Sequence, residues 1–284
     1  MSLDFSKPPE MKIFPYDAND PAAFLDRAEE SWSTDPVFNN LQWALSLRFC
    51  QEAGPYAAAI FEEAGNRWIG LQTVAKRPMI LNGPDELSEG VVRAILDYFP
   101  ASAGLTASKS IVAQLAPAWG KQIVDTVPMY LYELSALDPT VKFEGQLRQV
   151  GQNDRERLVQ WIEKFAIAIN ERLIGRNYRE EADKMIAGGQ IWFLEINGQV
   201  VSMAGSTRSV GGVACVNYVY TPEESRGRGF ASSNVGLLSE YLLRSHQKTC
   251  LYAEEGYPAS NRVYQKLGYE IVSRVVEVDF KQDS

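Results

Sequence analysis

Asn197-Gly198 stands between two apolar runs, QIWFLEI and QVVSMAGSTRS. An Asn-Gly pair accepts the left-handed backbone of a two-residue hairpin loop, so the two runs are predicted to be antiparallel neighbours. A third strand, VACVNYVYT, follows directly. A helix through Val235, Leu238 and Leu242 comes next, then a strand, TCLYAEE. Ser260 opens a short helix, NRVYQKL, that stops at Gly268, and YEIVSRVVEVDF is the last strand. Upstream, Leu158, Trp161, Ile162, Phe165 and Ile169 mark one face of a helix that Asn153 can cap. A second helix fits NYREEADKMIAGG, closed by glycines. The order α-α-β-β-β-α-β-α-β predicts a mixed sheet, antiparallel at the front and parallel at the crossover helix.

The chain has 284 residues, room for two domains of about 140 each. The N-terminal half repeats the pattern coarsely. Helices are predicted from Pro21 and around NNLQWALSLR, and strands at YAAAIFEEAG, RWIGLQTVAK and PMILNG. DELSEGVVRAILDYF has Leu87, Val91, Val92, Ile95 and Tyr98/Phe99 at helical spacing. IVAQLAPAW fits a strand or a helix, and VPMYLYEL closes the half. LDPTVKFEG, residues 137–145, has the composition of a linker.

A net charge of −8 argues against a general nucleic-acid binder. No charged-then-apolar leader opens the chain, and no apolar run is long enough to cross a bilayer, so a cytoplasmic protein without a membrane partner is expected. Cys50, Cys215 and Cys250 are odd in number and form no CxxC, which suits buried small side chains in a reducing compartment. A single histidine, His246, is too little for a zinc site or a Ser-His-Asp triad, so no metal is expected.

The chemistry concentrates in VYTPEESRGRGFASS, residues 219–233. Two arginines and two glycines occupy four residues where a strand gives way to a helix. A helix N-terminus carries unpaired amides and a partial positive charge, and glycines let a ligand approach the backbone. The plain alternative is a tight turn with solvated arginines. Three phosphate loops compete. A Walker A loop needs a Gly-Lys-Ser/Thr ending, which is absent. A dinucleotide fingerprint would use Gly227, Gly229 and Ser232, with Glu254 or Glu255 downstream, but residues 221–225 separate strand from glycine. The third pattern is Arg-x-x-Gly-x-Ala, Arg226 to Ala231, after a strand ending in Val-x-x-Pro.

That third pattern resembles the coenzyme A pyrophosphate loop of the GNAT N-acetyltransferase superfamily. PASNRVYQKLGYE, residues 258–270, is similar to the superfamily's C-terminal asparagine and tyrosine helix. The two motifs stand in the expected order over residues 147–284, and the whole chain resembles bacterial members with a degenerate GNAT-like domain in front. The resemblance implies an α/β fold of the α+β mixed-sheet kind. It has two GNAT-like domains, each a mixed, mostly antiparallel sheet flanked by helices: 1–140 without a phosphate loop and 147–284 catalytic. It implies an acetyl-CoA-dependent N-acyltransferase acting by direct attack in a ternary complex. Pantetheine would lie along Tyr218, Val219 and Tyr220 as an added strand. Arg226, Gly227, Arg228, Gly229, Phe230 and Ala231 would hold the pyrophosphate. Tyr264 would give the leaving thiolate its proton, and Asn261 would orient the pantetheine or the helix. The acceptor, a small-molecule or peptide amine, would be bound by the first two helices and their loop, residues 172–178. Glu195 and Glu254 are weak candidates for a base. The alternatives are a non-catalytic acyl-CoA sensor or partner protein and a nicotinamide-dependent oxidoreductase. Monomer and homodimer are both compatible with the sequence.

Overall fold

The computed structural model describes residues 10–51, 54–55, 57–74, 77–169 and 176–282. They pack as two units that interleave along the chain, whereas the domains expected from sequence, 1–140 and 147–284, follow one another. Unit 1 gathers the chain up to Tyr130, Glu254–Gly256 and the residues from Ser273 onward; unit 2 gathers Leu131–Ala253 and Tyr257–Val272.

The first repeat of the pattern runs β1 (Lys12–Pro15), α1 (Pro21–Trp32), α2 (Asn40–Gln51), β2 (Ala57–Glu63), β3 (Asn66–Gln72), β4 (Met79–Asn82), α3 (Glu89–Tyr98), β5 (Gly104–Ser108), α4 (Lys109–Ala118) and β6 (Ile123–Leu134). The second runs β7 (Gln146–Gln149), α5 (Arg155–Ala168), α6 (Tyr178–Ala187), β8 (Ile191–Ile196), β9 (Gln199–Val210), β10 (Val213–Tyr220), α7 (Phe230–Leu242), β11 (Lys248–Glu254), α8 (Pro258–Leu267) and β12 (Glu270–Phe280).

Each unit uses one plan. In unit 1, β1 to β4 form an antiparallel meander, α3 crosses over, and β5 returns parallel to β4. In unit 2, β7 to β10 do the same, α7 crosses over, and β11 returns parallel to β10. The closing strands are exchanged. In unit 1 β12 pairs antiparallel with β5, from Val275↔Ser108 to Asp279↔Gly104. In unit 2 β6 lies beside β11, where Lys248 Nζ meets Glu133 at 2.9 and 3.0 Å.

Pattern and structure agree at most elements. Asn197 and Gly198 have φ of 51° and 75°, as a type I′ hairpin turn requires. Val91 and Ile95 are the buried face of α3. The ambiguous IVAQLAPAW is helical, within α4. Two expectations at α5 are corrected. Asn153 is not its cap: residues 152–154 form a 3-10 turn, because Arg148 grips Asp154 at 2.7 and 3.0 Å and Asp154 accepts from Gly151 N at 3.1 Å. Ile169 lies beyond the helix end and is exposed, while Leu158, Trp161 and Ile162 are buried. The short strands β1, β5 and β7 are additions to the predicted set. Among the described residues no helix is long and apolar enough to cross a membrane, and no group of three or more His, Cys, Asp or Glu could hold a metal ion.

Candidate active site

The site begins where β10 parts from β11. Their parallel ladder covers only Val213–Cys215 against Lys248–Cys250, so Cys215↔Cys250 is its last rung. Two irregularities in the β9–β10 ladder bracket that point. Cys215 pairs with Arg208 and Val216 with Ser206, which leaves Thr207 as an extra residue on β9. Asn217 pairs with Gly205 and Tyr220 with Met203, which leaves an extra residue on β10. Tyr218 there has φ of 50°, rare for an aromatic residue. Bulges bend a strand and raise its local twist, which is how a strand is turned off its neighbour.

Tyr218, Val219 and Tyr220 therefore lie beyond the ladder with β11. The Tyr220 ring is buried against Trp161, with centroids 5.8 Å apart. The Tyr218 hydroxyl donates to Glu181 Oε1 on α6 at 2.5 Å, and Glu181 is also 3.1 Å from Arg176. Burial first, and the Glu181 charge second, push the Tyr218 phenol well above its ordinary range. Backbone, rather than these two side chains, is what the strand leaves available.

The chain then passes Pro222 and a 3-10 turn, Glu223–Ser225, into α7. Gly227 and Gly229 have φ of 73° and 80°. Gly229 is the N-cap of α7 and no side chain caps the helix. A Cβ at either glycine would meet nothing within 4 Å, so the approach is open. The first intrahelical bond found is Ser233 N to Gly229 O at 3.0 Å; the amides of residues 230–232 have no acceptor within the helix. Arg226 Nε donates to Thr221 O at 3.0 Å, so this side chain braces the turn. Arg228 is exposed and lies 4.6 Å over the ring of Phe230, which is buried. The equivalent helix of unit 1 starts differently: Ser88 Oγ accepts from Val91 N at 3.1 Å, so α3 is closed by its own cap.

Beyond the other strand, Asn261 and Tyr264 sit at i and i+3 on α8, both buried. The Asn261 carboxamide is engaged locally. It accepts from Tyr132 Oη at 3.1 Å and donates to Tyr257 O at 3.1 Å. Tyr264 packs 5.8 Å from Tyr132 and 6.1 Å from Tyr269, centroid to centroid. Its hydroxyl makes no hydrogen bond among the described residues. Burial, with a smaller contribution from Tyr132, pushes its pKa up to about 12, so it keeps its proton at neutral pH. Tyr269 anchors this corner by bonding Ser239 at 2.8 Å and Thr249 at 2.9 Å.

The candidate bases differ. Glu195 is tied 2.6 Å from Arg148, and Glu254 is half-buried at the end of β11. Of the acceptor loop 172–178, residues 172–175 lie outside the described residues. Three residues escaped the sequence reading: Glu181, Arg208 and Asn217. Only Glu181 carried a signal, since it falls on the same face of α6 as buried Met185.

Residues 198–277 match the family described as FR47-like protein. Among solved structures, the chain is similar to an acetyltransferase of the GNAT family from Colwellia psychrerythraea, 13% identical, covering 95% of this chain and 100% of that one with a TM-score of 0.62. It is similar also to a tandem GNAT protein from the clavulanic acid biosynthesis pathway, 14% identical over 97% and 100% of the two chains, TM-score 0.55. A GCN5-related N-acetyltransferase from Sphaerobacter thermophilus is 14% identical over 95% and 95%, TM-score 0.53. No curated protein matches. At these identities the likeness is one of fold: the chain has the tandem GNAT fold, with an FR47-like C-terminal segment.

Proposed function

We propose that this protein is an acetyl-CoA-dependent N-acyltransferase, with its chemistry in unit 2. The observation that carries the reading is the uncapped, glycine-opened start of α7, placed at the exit of a strand that has just left its parallel neighbour. The residues present fit the coenzyme. The amides from Gly227 to Ala231 meet a pyrophosphate's need for donors, the Arg226 amide being held by Glu223 O at 3.1 Å, and Arg228 adds exposed positive charge. The free edge of β10 at residues 218–220 offers backbone partners to an extended pantetheine arm. Bound there, the coenzyme would supply an acetyl thioester, whose C–S bond breaks as the amine's C–N bond forms. Tyr264 holds a proton for the departing sulfur, from a phenol with no competing acceptor. Asn261 fixes the helix that carries Tyr264.

The test is calorimetric titration with acetyl-CoA, coenzyme A and NADH, on wild type and Gly229→Trp. Coenzyme A binding in the micromolar range that the substitution abolishes, without NADH binding, supports the reading. No coenzyme A binding, or binding that a folded Gly229→Trp retains, would overturn it. Binding without thiol release in the presence of amines would leave a coenzyme-binding protein and no transferase.

A further inference from the structure

Among the described residues Arg208 is a cation with no carboxylate partner. Its Nε is buried and has no acceptor. Among the described residues its guanidinium makes one hydrogen bond, from Nη2 to Cys215 Sγ at 2.9 Å. More exposed arginines of the same unit are served better: Arg148 lies 2.7 Å from Asp154, Arg155 2.6 Å from Asp183 and Arg179 2.7 Å from Glu156. Removing a guanidinium from water is unfavourable unless an anion and full hydrogen bonding replace the water. Cys215 answers part of that need. A hydrogen bond from Cys250, and then Arg208 itself, pull the Cys215 thiol below its ordinary range. That sulfur meets one of five N–H groups.

Asn217 shows the complementary defect. Its Nδ2 donates to Thr207 Oγ1 at 2.6 Å, and its Oδ1 is buried with no donor among the described residues. The β9 bulge explains how the two orphans share a face. An extra residue lets consecutive side chains point the same way. Thr207 reaches Asn217 and Arg208 reaches Cys215, and Cys215 and Asn217 alternate onto one face of β10. Arg208, Asn217 and Tyr252 are all half-buried, at the point where β10 and β11 separate. An orphan donor on a cation and an orphan acceptor, on one face of the sheet next to the last rung between β10 and β11, call for a ligand that supplies both partners.

We propose that Arg208 and Asn217 are the acceptor-recognition residues, and that the acceptor is an amine carrying a carboxylate, an amino acid or a close relative. The carboxylate takes the free guanidinium N–H, and Asn217 Oδ1 accepts an N–H of the amine. The inference rests on the N-acyltransferase reading.

The experiment uses the full chain with acetyl-CoA and follows thiol release with the standard amino acids, their α-amides and spermidine. At least one amino acid should be acetylated, with its α-amide roughly 10- to 100-fold poorer in kcat/KM, the range of a charged hydrogen bond. Arg208→Gln should collapse that ratio towards one and abolish calorimetric binding of the amino acid to coenzyme A-loaded protein, with coenzyme affinity unchanged. Arg208→Lys, which keeps the charge, should keep part of the preference and serves if the first variant does not fold. Cys215→Ser should leave the preference in place. Amides equal to acids, turnover confined to spermidine, an unaltered ratio in Arg208→Gln, or coenzyme-binding protein that neither binds nor acetylates any amino acid would each overturn the proposal. If the protein binds no coenzyme, the parent reading falls separately, and titration of amino acids onto the free protein still decides the Arg208 site.

Discussion

Tyr264 owes its character to burial. A phenolate among Tyr132 and Tyr269 would lose its hydration, so the neutral form persists to a pKa of about 12. Through the working range the phenol is therefore in the protonated form that donation to a departing sulfur requires. Tyr264→Phe should therefore lower turnover by roughly tenfold or more, with acetyl-CoA affinity little changed; unchanged turnover would remove Tyr264 from the acid's role. The same burial has a consequence for stability. The folded pKa is raised above the unfolded value of about 10, so this group's contribution is complete below pH 10. It is lost as pH rises towards 12, because the unfolded chain releases its proton first. Melting temperatures of wild type and Tyr264→Phe from pH 8 to 11 should separate on this point. The wild type declines more steeply above pH 10, and parallel curves would show that the phenol is solvated.

At the scale of elements, α8 is held by a side chain as well as by its apolar face. Asn261 joins Tyr132 on β6 to the first turn of α8. Asn261→Ala leaves the Tyr132 hydroxyl without this acceptor, which should cost about 1–3 kcal/mol in chemical denaturation. Turnover should fall because Tyr264 rides on the helix, while coenzyme affinity moves less than turnover. A large loss of affinity with stability intact would instead make Asn261 a direct ligand of pantetheine. Much of this element was legible in the sequence: Asn261 and Tyr264 at i, i+3, Gly268 as the stop, and the arginine–glycine turn before α7. So was the hairpin, since Asn197-Gly198 states its own geometry. The bulges were not. Thr207 is an extra residue only with respect to β10, and the positive φ of Tyr218 depends on its partners in the ladder. Arg208, in the polar run GSTRS, has the look of a solvated strand end until its register opposite Cys215 is known. GLTAS of β5 is buried along its whole length, so it shows no alternation that a period-two pattern could catch.

The exchange of closing strands governs the molecule as a whole. Sequence order suggests that each half finishes its own sheet, and local pattern could not show otherwise, because pairing partners are a property of the fold. In unit 1, β12 supplies Val276, Val278 and Phe280 to a core built on Phe61, Trp68, Leu81 and Ile95. It also covers the edge of β5 over five residue pairs. Each such side chain, fully buried, is worth about 1.5–3 kcal/mol, and a domain's net stability is about 5–15 kcal/mol. Three of them together are therefore a large share of what keeps unit 1 folded. Deletion of residues 273–284 should unfold unit 1 even though the deleted segment is the far end of the chain. The exposed β5 edge should make the product prone to association. Residues 1–140 expressed alone should behave in the same way. Hydrogen exchange can check both: amides of β2, β3 and β5 should lose protection in the truncated chain relative to the full one. Full protection in those strands after the deletion would mean that unit 1 closes without β12, and that the sequential halves are folding units in their own right.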